Sequence, residues 1–266
     1  MMNLARSTVA GLALALASLA QLPAALAEEM ATRTFDVRGF DSLELKGGPR
    51  LEITQANTFS VVAEGPAELM EFVRVETSGD TLELSVEKEK KLFFGAVTVS
   101  NDDEVIFRVS LPKLEALEVK GSGEAIAKNL ESENLALSVM GSGLIQADRI
   151  AAEKLSLSVM GSGDLVIDTV LAGTMGMEVK GNGDLSVKNF AGETMGADIA
   201  GSGDIMVAGK VDTLAVSVMG SGDFHGRNLQ STTASGTVMG SGDVVIRKPQ
   251  SQSFRVMGSG DIAVIE

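Results

Sequence analysis

The stretch "LSLSVMGSGDLVI", Leu155–Ile167, alternates apolar and polar residues on both sides of a Gly-Ser-Gly corner. Its centre, "VMGSGD" at Val159–Asp164, returns at Val218–Asp223, Val238–Asp243 and Val256–Asp261. Gly-x-Gly triplets begin at Gly121, Gly141, Gly161, Gly181, Gly201, Gly220, Gly240 and Gly258, with spacings of 20, 20, 20, 20, 19, 20 and 18. An alternation of period two belongs to strands, not helices. Helical repeats would show a 3.6-residue pattern, and leucine-rich repeats would show an Asn/Cys turn; neither is present. A repeat made only of strand and turn predicts an all-β, parallel β-solenoid of about 20 residues per coil, wound right-handed. Stacked coils lie about 4.8 Å apart, and the chain has room for roughly 10 to 12 of them.

Parity through the motif assigns the faces. With Leu155, Leu157 and Val159 inward, Met160 and Ser162 point outward, Gly161 and Gly163 inward, Asp164 outward, and Leu165 and Ile167 inward again. The corner glycines therefore answer a steric need and permit positive φ. They do not form a phosphate-binding loop, since no G-x-x-x-x-G-K-[ST] pattern or strand–helix context accompanies them.

Stacking turns each outward position into a column. One contains Lys120, Met140, Met160, Lys180, Ala200, Met219, Met239 and Met257. Its two lysines place it in solvent, because an unpaired charge does not recur in a dry core. Met140, Met160, Met219, Met239 and Met257 then form a candidate binding strip of polarizable thioethers, unless they only fill space at the bend. Beside it run Ser122, Ser142, Ser162, Asn182, Ser202, Ser221, Ser241 and Ser259. An acidic column follows with Glu124, Asp164, Asp184, Asp204, Asp223, Asp243 and Asp261, interrupted by Leu144. Carboxylates about 5 Å apart repel one another, so something must offset that cost. Caps on turn N–H groups are the favoured explanation; Ca²⁺ between rungs, as in nonapeptide toxin repeats, is the other.

The irregular part precedes Gly121. "LELKGGPRLEI" at Leu43–Ile53 echoes "LEVKGSGEAIA" at Leu117–Ala127, and "VRVETSGDTLELSV" at Val73–Val86 reads as a hairpin around Ser-Gly-Asp. "KEKKLFF" at Lys88–Phe94 breaks the pattern as a loop. Residues 1–27 form a secretory leader: Arg6, an apolar run over Thr8–Leu22, Pro23, and small residues at Ala25 and Ala27. A single solenoid domain at 28–266 follows, with irregular coils over 35–116 and regular repeats over 117–266. No transmembrane segment remains once the leader is removed. The repeat strand Ile262–Glu266 carries no polar cap, so this C-terminal edge is where weak self-association is expected.

Composition narrows the chemistry. Without Cys, stability rests on packing and backbone hydrogen bonds. Loss of Arg6 with the leader moves the formal charge from −14 to −15, which opposes nucleic acid and anionic surfaces as partners. Trp and Tyr are absent, and seven of the ten Phe precede residue 110, so the usual aromatic sugar platform is missing. No catalytic cluster or cofactor is indicated. The single His, His225, has no nucleophile motif or metal-ligand spacing around it, and each Asp keeps its repeat position rather than departing from it.

With these corners in place, "FDSLELKGGPRLEITQ" at Phe40–Gln55, "VSLPKLEALEVKGSGE" at Val109–Glu124 and the later "GSGD" repeats resemble the GIN-domain family of autotransporter-adhesin head domains. The resemblance covers nearly all of the chain after the leader. It implies an exported β-helical head and brings neither a known ligand nor catalytic residues. The expected function is a non-enzymatic, adhesin-head-like binding or structural module of the cell envelope, periplasmic or at the surface. Its partner would be an envelope protein or glycan. The alternative is an enzyme acting on envelope polysaccharide, which a cleft combining His225 with convergent carboxylates would favour.

Overall fold

The protein's computed structural model describes residues 29–87 and 105–266. The leader at 1–27 and the Lys88–Phe94 loop lie outside the described residues.

The alternation does produce a solenoid, and its first rung lies where the sequence echo placed it. β1 (Met30–Phe35) is followed by β2 (Ser42–Gly47) and β3 (Arg50–Gln55), which together make that rung. β4 (Ser60–Pro66), a single 3₁₀ turn at Ala67–Leu69, β5 (Val73–Ser78), β6 (Thr81–Val86) and β7 (Ile106–Leu111) come next. β8 (Ala116–Gly121) then starts the regular stack and lies parallel on β2, with Leu43 against Leu117 and Gly47 against Gly121.

The intervening strands are not degenerate coils throughout. β5 and β6 form the hairpin expected around Gly79, whose φ is +61°. β4 runs antiparallel to both β1 and β7. Only β6 and β7 join the parallel stack, on β2 and β3 respectively. The expected 10 to 12 coils are accordingly too many. Nine corner glycines align in register from Gly47 to Gly258, which makes eight coil-to-coil steps. The shortfall is the chain used by the antiparallel strands and the hairpin.

From Glu124 onward each coil is nearly one continuous strand. These are β9 (Glu124–Gly141), β10 (Leu144–Gly161), β11 (Asp164–Gly181), β12 (Leu185–Gly201) and β13 (Ile205–Gly220). Inward–outward alternation breaks twice within each strand. In β11, Asp168 and Thr169 both leave the core between Ile167 and Val170, and Gly173 and Thr174 do so between Ala172 and Met175. These two breaks and the Gly-x-Gly corner divide the coil into three short faces.

The last coils are more segmented: β14 (Phe224–Gly226), β15 (Leu229–Gly240), β16 (Val244–Arg247), β17 (Ser251–Gly258) and β18 (Ile262–Ile265). The 19-residue step is absorbed at the first break, where register shifts between Val187 and Phe190 and Phe190 comes to lie against Gly209. The 18-residue step is absorbed between β16 and β17, since Phe224 still meets Val244 at the full repeat while Thr233 meets Ser251.

The core is a set of inward columns. Leu117, Leu137, Leu157, Met177, Ala197 and Val216 form one, and Val119, Val139, Val159, Val179, Ile199 and Val218 another. Among the described residues no polar or charged residue is buried as a whole with them, although Ser231 Oγ is enclosed without a hydrogen-bond partner. Bulk is matched between positions: Phe224 is fully buried, and a Cβ on Gly226 would lie 2.7 Å from its ring. A glycine thus accepts what an aliphatic side chain would obstruct.

Candidate functional site

The corners show why glycine recurs. The first glycine of each regular triplet has φ between +124° and +147°, where an L side chain is strained. The carbonyl oxygen of Gly141 accepts the N–H of Ser162 at 2.8 Å and of Gly163 at 2.9 Å. A Cβ on Gly161 would run into that same oxygen. A Cβ on Gly143 would meet the Gly123 oxygen at 2.6 Å and Val119 Cγ1 at 2.7 Å. The obstruction is therefore mainly the backbone of the coil beneath and only partly the core side chains that parity suggested.

Register carries the outward positions into straight columns. Lys46, Lys120, Met140, Met160, Lys180, Ala200, Met219, Met239 and Met257 align. Met140 and Met160 are half-buried, whereas Met219, Met239 and Met257 are 48%, 38% and 48% exposed. Lys180 and Ala200 separate these two groups, so the strip is two short rows. The neighbouring Ser column is exposed from Ser122 through Ser259, with Asn182 in it.

At its N-terminal end the Met column becomes an ion-pair cluster. Lys46 contacts Glu83 at 2.6 Å and Glu44 at 3.0 Å, and Lys120 contacts Glu44 and Glu118, each at 2.9 Å. Burial alone would raise the Glu44 pKa, but hydrogen bonds from Lys120 and Lys46 outweigh it and hold the carboxyl below the usual range. The Glu83 bond, seconded by Glu44, raises Lys46; Glu118 and then Glu44 raise Lys120.

In the acidic column each carboxylate from Asp164 to Asp243 receives the backbone N–H of its counterpart one coil on. Asp184 donates to Asp164 Oδ1 at 3.1 Å, Asp204 to Asp184 at 2.9 Å and Asp223 to Asp204 at 2.8 Å. The series continues with Asp243 to Asp223 at 2.7 Å and Asp261 to Asp243 at 2.8 Å. Where the column is interrupted by Leu144, the N–H of Asp164 goes to the Gly143 carbonyl instead.

His225 projects from this column's flank. It occupies the place held by Met206 in the preceding coil and Val245 in the next. Its Nε2 lies 3.8 Å from Asp204 Oδ2, and ligand atoms of Asp204, Asp223 and His225 all fall within 4.8 Å of one another. A groove of about 420 Å³ beside it includes Ser186, Lys188, Met206 and Arg227 in its lining. Lys188 is paired with Asp168 at 2.6 Å. Stacking of the repeats already sets Asp223 beside Asp204 one coil away; that the His225 imidazole also turns to Asp204 depends on side-chain direction, which periodicity does not give.

A second groove was also missed. Gly196, Ala215 and Ser235 occupy one outward column and line a concavity of about 470 Å³ with Asp198, Phe254 and Arg255. Aligning the repeats on Gly-x-Gly and reading this small-residue column would have exposed it.

The pattern that matches this coil geometry is the family described as "Putative auto-transporter adhesin, head GIN domain", over residues 39–190 and 161–265. The chain belongs to the GIN-domain family. Solved structures agree on the fold of this GIN-domain chain. A "putative adhesin" from Parabacteroides distasonis aligns at TM-score 0.78 and 19% identity, covering 90% of this chain and 98% of the other. One from Parabacteroides merdae aligns at 0.77 and 19%, covering 90% and 97%. A "putative lipid binding protein" from Parabacteroides distasonis aligns at 0.76 and 20%, covering 89% and 97%. No curated protein compared with the chain matches it. Among the described residues, no helix is long and apolar enough to cross a membrane.

Proposed function

We propose that this GIN-domain chain is an exported, non-enzymatic binding module of the cell envelope, and that it holds an envelope protein through the outward row Met219, Met239 and Met257. The observation that carries this reading is the exposure of those three thioethers in register on successive coils, where they make a continuous row. A row of thioethers adapts to an apolar partner surface without a fixed rotamer. Missing Trp and Tyr weigh against a sugar platform. The adhesin names of similar structures and the leader-like residues 1–27 support export and binding. The same row also suits an acyl chain, and one neighbour of the fold bears the name "putative lipid binding protein".

The test is a photo-crosslinking residue at Met239 and, separately, at Thr174 on another face of the coil, in the native cell. A discrete adduct is expected at Met239 and not at Thr174, and Met219→Lys with Met257→Lys should abolish it. Equal adducts at both positions would remove the Met row as the contact.

The enzyme alternative is favoured by one observation, His225 beside Asp204 and Asp223 at a groove. The carboxylate spacing there is set by coil stacking and recurs along the column, so only the His is distinctive. Depolymerisation of envelope polysaccharide, lost in His225→Val, would establish it.

A further inference from the structure

We infer that Asp204, Asp223 and His225 form a site for one divalent transition-metal ion of the Zn²⁺ class. The inference is independent of whether the Met row binds a partner. It rests on how the coil arranges three ligand atoms, two of them oriented by bonds the fold already makes.

Asp223 immediately precedes β14 and His225 is its middle residue; with buried Phe224 between them, both face outward. Asp204 lies one coil below. Its Oδ1 is fixed by the Asp223 N–H at 2.8 Å, while its Oδ2 lies 3.8 Å from His225 Nε2. The Asp223 Oδ1 is fixed in turn by the Asp243 N–H at 2.7 Å, which leaves its Oδ2 outside that bond. Backbone donors thus act as the outer-shell partners that orient ligating carboxylates.

Zinc takes nitrogen and oxygen donors at about 2.0–2.2 Å in a tetrahedron, which needs donor atoms about 3.3–3.6 Å apart. The His225 and Asp204 side chains are 39% and 41% exposed, so small rotations can close 3.8 Å to that spacing. Three protein ligands facing solvent leave further positions for water. The imidazole also selects the ion: borderline metals take nitrogen, whereas Ca²⁺ takes oxygen alone. Elsewhere the place of His225 is held by aliphatic, Ser, Met or Gln side chains, from Ile126 and Gln146 to Val245 and Ala263, none of which offers a metal-ligating nitrogen. The coils from Asp164 to Asp261 supply similar carboxylates, and this one adds the donor that makes them a transition-metal site.

The experiment titrates the untagged chain with Zn²⁺ by calorimetry and records the electron paramagnetic resonance of the Cu²⁺-loaded form. One ion per chain is expected, with coupling to a single imidazole nitrogen, since the chain has one His. His225→Val copies the occupant of the next coil and so preserves packing. It should weaken Zn²⁺ by at least about tenfold, the smaller end of what losing even an outer-shell partner costs. Asp204→Asn and Asp223→Asn should weaken it similarly, whereas Asp261→Asn, in the same column but away from His225, should not. Melting with chelator present confirms that each variant is folded. Absence of Zn²⁺ binding, several equivalent ions per chain unaffected by His225→Val, or a Cu²⁺ signal without nitrogen coupling would each overturn the site.

Discussion

At the scale of single residues, the glycines divide into two kinds that look alike in the sequence. Gly161 and Gly201 combine positive φ with a neighbouring carbonyl where a Cβ would sit, while a Cβ on Gly176 or Gly196 would meet nothing within 4 Å. Gly161→Val should cost several kcal/mol, because backbone strain and a blocked inter-coil contact add. Gly176→Ala should be neutral or stabilising by about 0.4–1 kcal/mol, since it restricts only the unfolded chain. Thermal unfolding of both variants checks the contrast; equal effects would mean that corner geometry is not what holds glycine there.

At the scale of elements, the question is how an antiparallel excursion stays attached to a parallel stack. Glu44 on β2 pairs with Lys120 on β8 and with its strand neighbour Lys46, and Lys46 in turn reaches Glu83 on β6. Like charges face each other along the register, Glu44 with Glu83 and Glu118, and Lys46 with Lys120; the diagonal Glu–Lys contacts offset that repulsion. The lowered Glu44 pKa means that its stabilisation is present above the ordinary glutamate value of about 4.3 and disappears as pH falls through the folded value. Raised Lys46 and Lys120 act oppositely: their share is full below the ordinary lysine value of about 10.4 and is lost as pH rises through the folded one. Glu44→Gln should therefore cost about 0.5–1 kcal/mol near neutrality after solvent screening. The difference from the parent should vanish as the solution is acidified through the folded Glu44 pKa. Chemical denaturation across that acid range measures it, and a constant gap down to the lowest pH would show that the charge is not the cause.

At the scale of the whole molecule, stability is a sum of coils and of the interfaces between them. The Asp ladder from Asp164 to Asp261 is one repeated interface term: each carboxylate repels its neighbours and also accepts the next coil's N–H. We expect the hydrogen bond to dominate. Asp184→Ala should cost about 1–3 kcal/mol, because the Asp204 N–H loses its charged acceptor, whereas Asp184→Asn keeps an acceptor oxygen and should cost much less. Millimolar Ca²⁺ should barely move the melting temperature if capping is the column's role; a large rise, removed by Asp184→Asn, would instead mean hard-cation chelation.

Strand class, the 20-residue coil, the alignment of Met, Ser and Asp into outward columns and the Val73–Val86 hairpin were legible in the amino-acid sequence. Those features depend only on period and parity, which are local properties of the chain. Tertiary structure decided what lies between coils. The Gly161 obstruction is the Gly141 carbonyl, the Asp204 carboxylate meets the Asp223 N–H, and the His225 imidazole lies 3.8 Å from Asp204. It also decided that β4 runs antiparallel, which lowered the number of coils. Periodicity names the residues in a column, but the direction in which a carboxylate or carbonyl points is fixed only when the next coil closes over it.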